Sequence, residues 1–256
     1  MRRQVYGLAT AITLISTGAM ATDIAAMSPQ ERTAFGAEVR GFLLENPEVI
    51  EEAQKVLEER RAQAERERDA QLVADQLEPL YGDEMSPMIG DPDAPFTVVK
   101  FNDFNCGHCR AVEPDLAAFI EQNPDYKLII KEFPVLGANS VIAASFAVTV
   151  YDLAGSDAYA TVKSRLFGDE GPKTAEYYRA LASEVGVDPD LMTQRMGSEE
   201  VRAHLQRNVD LAGELEIQGT PGLIFEDVII RGRIPLEVMG QIRGVRVSRC
   251  AGWWRA

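Results

Sequence analysis

The feature that most narrows the possible folds is Cys106-Gly107-His108-Cys109, set where a β-rich run, Phe96 to Phe101, hands over to a helical pattern over residues 109 to 121. Two thiols at this spacing can close a small disulfide ring, and a sulfur at a helix start lies over backbone N–H groups that have no intrahelical partner. Those groups favour the thiolate. His108 adds a donor or, when protonated, a positive charge that acts in the same direction. Stabilising the reduced thiolate makes the disulfide form a stronger oxidant. Two other uses of the pair compete with redox exchange. Zinc needs about four ligands, and outside the motif the chain offers only Cys250 and His204 among cysteines and histidines. A purely structural disulfide would close too small a loop to constrain the unfolded chain much.

The surrounding pattern is α/β. Phe96 to Phe101 reads as a buried strand and Tyr126 to Phe133 as a second one, ended by Pro134; with the helix between them they make a parallel βαβ unit. Residues 139 to 215 contain no comparable strand but several helical stretches, punctuated at Gly155, Gly168 to Pro172, Gly186 to Pro189 and Gly197. Strands return at Gly222 to Glu226 and Val228 to Arg231, close enough for an antiparallel hairpin, and Pro235 to Ile242 reads as a closing helix.

Ahead of this unit the texture differs. Ser28-Pro29-Gln30-Glu31 is an N-cap, a proline at the first helical position and an acidic first turn, followed by Phe35, Val39, Phe42 and Leu43 at helical spacing. Asn46-Pro47-Glu48 repeats the start signal before Val49, Ile50, Ala53, Val56 and Leu57, after which Glu58 to Gln71 is almost wholly charged or Ala/Gln-rich. Such a helix needs a partner for its narrow apolar stripe. The following domain and further copies of the chain are both candidates. Possible i,i+3 pairs such as Glu65 with Arg68 suit a solvated face.

The first residues, Met1-Arg2-Arg3 followed by an apolar stretch and Ala19-Met20-Ala21, have the charged, apolar and small-residue regions of an export signal covering residues 1 to 21. The apolar part is shorter than the roughly 20 residues of a spanning helix. The expected compartment is the bacterial periplasm, and three cysteines are too few for a disulfide framework there. With 26 basic and 40 acidic residues the net charge is −14; losing Arg2 and Arg3 leaves 24 against 40, or −16. That balance opposes binding to nucleic acid or anionic membranes. A content of 46% hydrophobic and 26% charged residues excludes disorder as the dominant state.

A second signal, Gly219-Thr220-Pro221-Gly222, precedes the strand Leu223-Ile224-Phe225. Alone it is a turn, because proline cannot donate to a ladder and marks an edge, a tight turn or a cis bond. Together with Phe101 to Cys109, the Lys131-Glu132-Phe133-Pro134-Val135-Leu136-Gly137 segment and the helical insertion, it resembles the DsbA family of thioredoxin-fold proteins over residues 91 to 243. The Asn46 to Ile50 segment is similar to the N-terminal region of ScsC-type members, where that region promotes oligomerisation. The resemblance implies that Cys106 is the exposed attacking sulfur, Cys109 the buried resolving sulfur and Pro221 a cis proline facing them. It also implies that the backbone at Thr220 pairs with an extended substrate peptide. The family usually carries a buried acid six residues before the first cysteine, where this chain has Lys100. A buried lysine needs a partner, and Glu132 on the neighbouring strand is the candidate for a proton-transfer pair; the other reading puts Lys100 on the exposed face of its strand.

The expected organisation is therefore a signal peptide (1–21), a helical arm (22–84), a thioredoxin-like domain with a helical insertion (85–243) and a tail (244–256). The expected activity is thiol–disulfide exchange on exported proteins, as an oxidase or an isomerase, with a membrane redox partner and association of copies through the arm. No metal or organic cofactor is required. A non-catalytic chaperone or binding module is the alternative from another class. His204, among Arg202, Gln206 and Arg207, reads as solvated, Cys250 as an accessory thiol, and Trp253 and Trp254 as a docking patch or a frayed end.

Overall fold

The computed structural model describes residues 26–243. The expected export segment and the tail with Cys250, Trp253 and Trp254 lie outside them. Two compact units divide at Arg60 and Arg61.

In the first unit, helix α1 spans Pro29–Glu45 and opens with a full capping box: the Ser28 hydroxyl accepts from the Glu31 N–H, and the Glu31 carboxylate accepts from the Ser28 N–H. Helix α2, Glu48–Ala74, begins here and continues into the second unit. α1 buries no residue; Phe35, Val39 and Phe42 are exposed, as are Ile50, Val56 and Leu57 of α2.

The second unit is built on a five-stranded sheet in the order β1-β3-β2-β4-β5, with β1 Met88–Ile89, β2 Phe96–Asn102, β3 Tyr126–Glu132, β4 Gly222–Phe225 and β5 Val228–Arg231. β2 and β3 run parallel, joined by α4 (Gly107–Gln122), while β4 is antiparallel to both β2 and β5. The βαβ unit and the hairpin are thus as expected. The two-residue β1, antiparallel to β3, and the short helix α3 (Leu77–Tyr81) were not read from the sequence, since neither is long enough to show a period. The insertion is four helices: α5 Ala138–Gly168, α6 Ala175–Glu184, α7 Pro189–Met196 and α8 Glu199–Glu214. α5 breaks at Gly155, whose φ of 76° is the left-handed region that glycine enters without a Cβ clash. Residues 236–243 form the closing helix.

Strand alternation divides the core in two. Val98, Leu128, Ile130, Leu223 and Phe225 face α4 and α5, with Leu116, Phe119 and Phe146. Val99, Phe101, Ile129 and Ile224 face the other way, onto Val73 of α2, Leu80 of α3 and Leu211 and Leu215 at the end of α8. A sheet apolar on both faces must be covered on both. The second half of α2 is one of those covers, so it packs as part of the sheet unit, ahead of the expected arm boundary at residue 84. On the other face, Phe119 meets Tyr126 and Phe225 edge-on, with centroids 5.1 and 5.6 Å away. Such pairs add about 0.5–1.5 kcal/mol each beyond burial, and they fix the helix that carries the cysteines.

Candidate active site

Cys106 is the N-cap of α4, with extended backbone (φ −83°, ψ 116°), so its sulfur stands at the open end of the helix. The approach loop is braced by Asp103, a role the sequence reading missed although the residue lies in the quoted motif. Its Oδ1 accepts from the Asn105 N–H at 2.8 Å, and its Oδ2 accepts from the Val135 and Leu136 N–H groups at 2.9 and 3.1 Å. Asn105 Nδ2 donates to Ser140 Oγ at 2.9 Å, tying the same loop to the start of α5. One buried carboxylate therefore satisfies three backbone donors from two loops.

Across from α4, the Thr220–Pro221 peptide bond is cis. The Cys106 thiol donates to the Thr220 carbonyl oxygen, with Sγ and O 3.2 Å apart. The next residue has to be glycine, because a Cβ at Gly222 would sit 2.7 Å from Ile217 Cγ2. Cys106, Cys109, Thr220 and Pro221 are thus brought to one place. The attacking sulfur expected to stand exposed is only 8% accessible as a residue, since the Thr220 loop lies over it; Cys109 is fully buried. His108 is exposed.

The two thiols ionise differently. Burial opposes ionisation of Cys106, but hydrogen bonds from the Thr220 side chain, from the backbone N–H and thiol of Cys109 and from the backbone N–H of His108 outweigh it and hold its pKa below the ordinary 9.0. His108 thus contributes through its backbone. Cys109 is pushed up to about 12 by burial, against the opposing pull of the Lys100 charge.

Lys100 is fully buried, as the pairing hypothesis required, but its partner is not Glu132. Its ammonium bonds Glu113 of α4, whose second oxygen accepts from Lys163 Nζ of α5 at 2.5 Å. The parallel register explains the difference: Lys100 lies opposite Ile130, and Glu132 lies opposite Asn102. Glu132 accepts from Asn102 Nδ2 at 3.0 Å and from the Tyr159 hydroxyl at 2.5 Å, while α4 delivers a nearer carboxylate to the lysine. Fully buried, Glu132 is pushed up to about 7 by desolvation, with the Tyr159 and Asn102 hydrogen bonds and the Lys100 charge opposing. Glu113 was missed because helix α4 reads in sequence only as an amphipathic element.

His204 also departs from expectation. It is fully buried, its Nδ1 3.2 Å from Asp83 Oδ2 and its Nε2 3.3 Å from Asn208 Nδ2. Lys131, on the sheet face opposite Lys100, donates to Ser86 Oγ at 2.8 Å and lies 3.3 Å from the same Asp83 oxygen. The flanking Arg202 and Arg207 belong to the outer face of α8, which is what made the local sequence look solvated.

The sheet order, the dithiol at the start of the helix after β2 and the cis-proline loop opposite it are those of a thioredoxin-fold thiol–disulfide oxidoreductase. Residues 82–242 match the family model described as Thioredoxin, and residues 31–64 match that of the copper resistance protein ScsC N-terminal domain. The chain belongs to the thioredoxin family and is of its DsbA/ScsC type. A structure of Proteus mirabilis ScsC in a transitional conformation is 28% identical, covering 88% of this chain and 99% of its own, with a TM-score of 0.63. A periplasmic thioredoxin-like protein from Salmonella enterica serovar Typhimurium is 26% identical over 67% of this chain and 95% of its own, with a TM-score of 0.60. The disulfide bond formation protein D of Bacillus subtilis is 23% identical over 149 residues, 54% of this chain and 67% of that protein.

Proposed function

We propose that this chain shuffles disulfides in exported proteins of the periplasm, working as an oligomer held by its N-terminal arm. The observation that carries the chemistry is the arrangement of two reduced thiols at one helix start: one facing Thr220 with its thiolate favoured, the other buried with its thiolate disfavoured.

The Cys106 thiolate attacks one sulfur of a substrate disulfide. A Cys106–substrate disulfide forms, the substrate S–S bond breaks, and the released substrate thiolate takes up a proton. A second substrate thiolate can then attack the substrate sulfur of the mixed disulfide, leaving a rearranged disulfide and a reduced Cys106 with no net change in electrons. When no such thiolate arrives, Cys109 loses its proton and attacks Cys106. The substrate leaves as a dithiol, and Cys106–Cys109 becomes a disulfide that a dithiol membrane partner must reduce. Burial holds the Cys109 thiol up at about 12, which disfavours the thiolate needed for resolution and leaves time for rearrangement first. Thr220 would pair with the substrate backbone beside Pro221.

Association is supported by the apolar residues of α1 and early α2, which are exposed, and by the match of residues 31–64 to the ScsC N-terminal domain. Export is supported by the character of residues 1–21 and by the periplasmic relative. Light scattering gives the mass in solution, and refolding of a scrambled disulfide protein gives the activity. More than one copy, with recovery of native disulfides that Cys106→Ser abolishes, is the expected result. A monomer that oxidises dithiols would indicate net oxidation instead, and activity surviving replacement of both cysteines would indicate a chaperone.

A further inference from the structure

Beside the cis-proline loop lies a cavity of about 500 Å³, walled by Gly219, Thr220 and Pro221 on one side and by charged side chains on the other. The charges come from three elements: Glu65, Arg68 and Asp69 of α2, Glu216 in the turn after α8, and Arg231 of β5. Three acids and two bases leave an excess of one negative charge.

Their commitments are unequal. Arg231 donates to both Asp69 oxygens at 2.8 and 3.1 Å, and to the carbonyl oxygens of Glu216 and Leu215 at 3.1 and 3.3 Å. Its donors are largely spent holding the turn, and Asp69 is buried in doing so. Arg68 pairs with Glu216, but their side chains are 62% and 39% exposed, and exposed pairs of this kind are easily exchanged. Glu65 is 69% exposed, with Arg231 Nη1 no nearer than 4.0 Å. The cavity thus holds one uncommitted carboxylate and a second that is only loosely covered.

An extended peptide pairing at Thr220 sends alternate side chains to opposite sides, and this cavity lies beside the residues it would pair with. We infer that the cavity reads a cationic side chain, lysine or arginine, next to the reacting cysteine of the substrate, with Glu65 and Glu216 as acceptors and Arg68 swinging outward to admit it. α2 is thereby a specificity element of the exchange site, and the inference rests on the function proposed above.

The test uses the full reduced protein and short peptides carrying one cysteine as a mixed disulfide with a coloured aromatic thiol. Each peptide has Lys, Gln or Glu at the positions within two residues of the cysteine. At 50 mM salt the lysine peptide should react about three- to tenfold faster than the glutamine peptide at one of these positions, and the glutamate peptide slowest. The Glu65→Gln/Glu216→Gln double variant should bring the Lys-to-Gln ratio close to one, while Arg68→Gln, which uncovers Glu216, should raise it. Adding 0.5 M salt should shrink the ratio in the unaltered protein. A ratio that survives in the double variant comes from the net charge of the whole chain and overturns the assignment, as does a preference for glutamate. Reaction of all peptides, the neutral one included, no faster than with free cysteine would instead overturn the exchange function itself.

Discussion

Glu132 should make the stability of this protein fall as pH rises toward neutrality. Its carboxyl is pushed up to about 7 in the fold, against an ordinary 4.5, because it is fully buried. A carboxyl with the higher pKa in the native state binds its proton more tightly there than in the unfolded chain, so the native state is favoured on the acid side. The unfolded chain gives up that proton near 4.5 and the native state only near 7, so stability drops across this interval and levels off above it. Between pH 5 and pH 8 the loss is about 2–3 kcal/mol. Glu132→Gln removes the titration while keeping the shape. The glutamine oxygen can still accept from Tyr159, and its amide can donate to Asn102 Oδ1, which has no partner at present, once the Asn102 amide turns over. Urea unfolding of both proteins under reducing conditions at pH 5, 6, 7 and 8 reads the effect. The stability gap should move by about 2–3 kcal/mol in favour of the variant as pH rises, a relative shift of about 1 M in midpoint for a slope of about 2 kcal/mol per M. Other groups titrate equally in both proteins and cancel. A gap constant from pH 5 to pH 8 would refute the assignment of this titration to Glu132.

Glu113→Ala leaves Lys100 buried without its carboxylate and should cost about 3–5 kcal/mol in denaturant midpoints, most of it regained by Lys100→Met/Glu113→Leu. Asp103→Asn turns an acceptor of three N–H groups into one with a misplaced donor; it should cost about 1–3 kcal/mol and loosen the Val135–Leu136 loop, visible as faster amide exchange there. Alkylation of Cys106 by iodoacetamide should follow a titration centred below pH 9.0, whereas Cys109 should stay unmodified at neutral pH. Gly222→Ala should destabilise by about 1–3 kcal/mol, measured by thermal unfolding, because the new methyl meets Ile217.

What the sequence made legible follows from which forces act locally. The N-cap at Ser28, the parallel β2–α4–β3 unit and the hairpin of β4 and β5 are written in residues close together in the chain, and all three stand as read. The place of Cys106 at the helix start follows in the same way. The partner of Lys100 did not, because strand pattern points to Glu132 on the neighbouring strand and only the packing of α4 over the sheet selects Glu113. His204 misled for a related reason. Arg202 and Gln206, at i−2 and i+2, lie on the far side of the helix from His204, and the long Arg207 side chain reaches solvent from the edge of the buried face, so a polar sequence context says little about a single buried ring. The second half of α2 likewise reads as a charged solvated helix, yet its Asp69 and Val73 are the residues that reach the sheet.

Lys100 changes the electrostatics around the buried thiol. Lys100 lowers the cost of a Cys109 thiolate, but a free buried ammonium would be as costly as the thiolate it helps. Glu113 resolves this by pairing with Lys100 while also holding Lys163, so that the cation stays in place without presenting an unneutralised charge. Glu132, pushed up to about 7 by burial, feels the same Lys100 charge. Lys100 is thus held by a carboxylate from α4 and shares its field with a carboxyl on β3 that a tyrosine from α5 holds. The arrangement predicts that Lys100→Met raises the pKa of both Cys109 and Glu132, since both lose the same stabilising cation. Thiol titration by absorbance at 240 nm and the pH profile of stability measure the two separately, and a shift in one without the other would break the link between them.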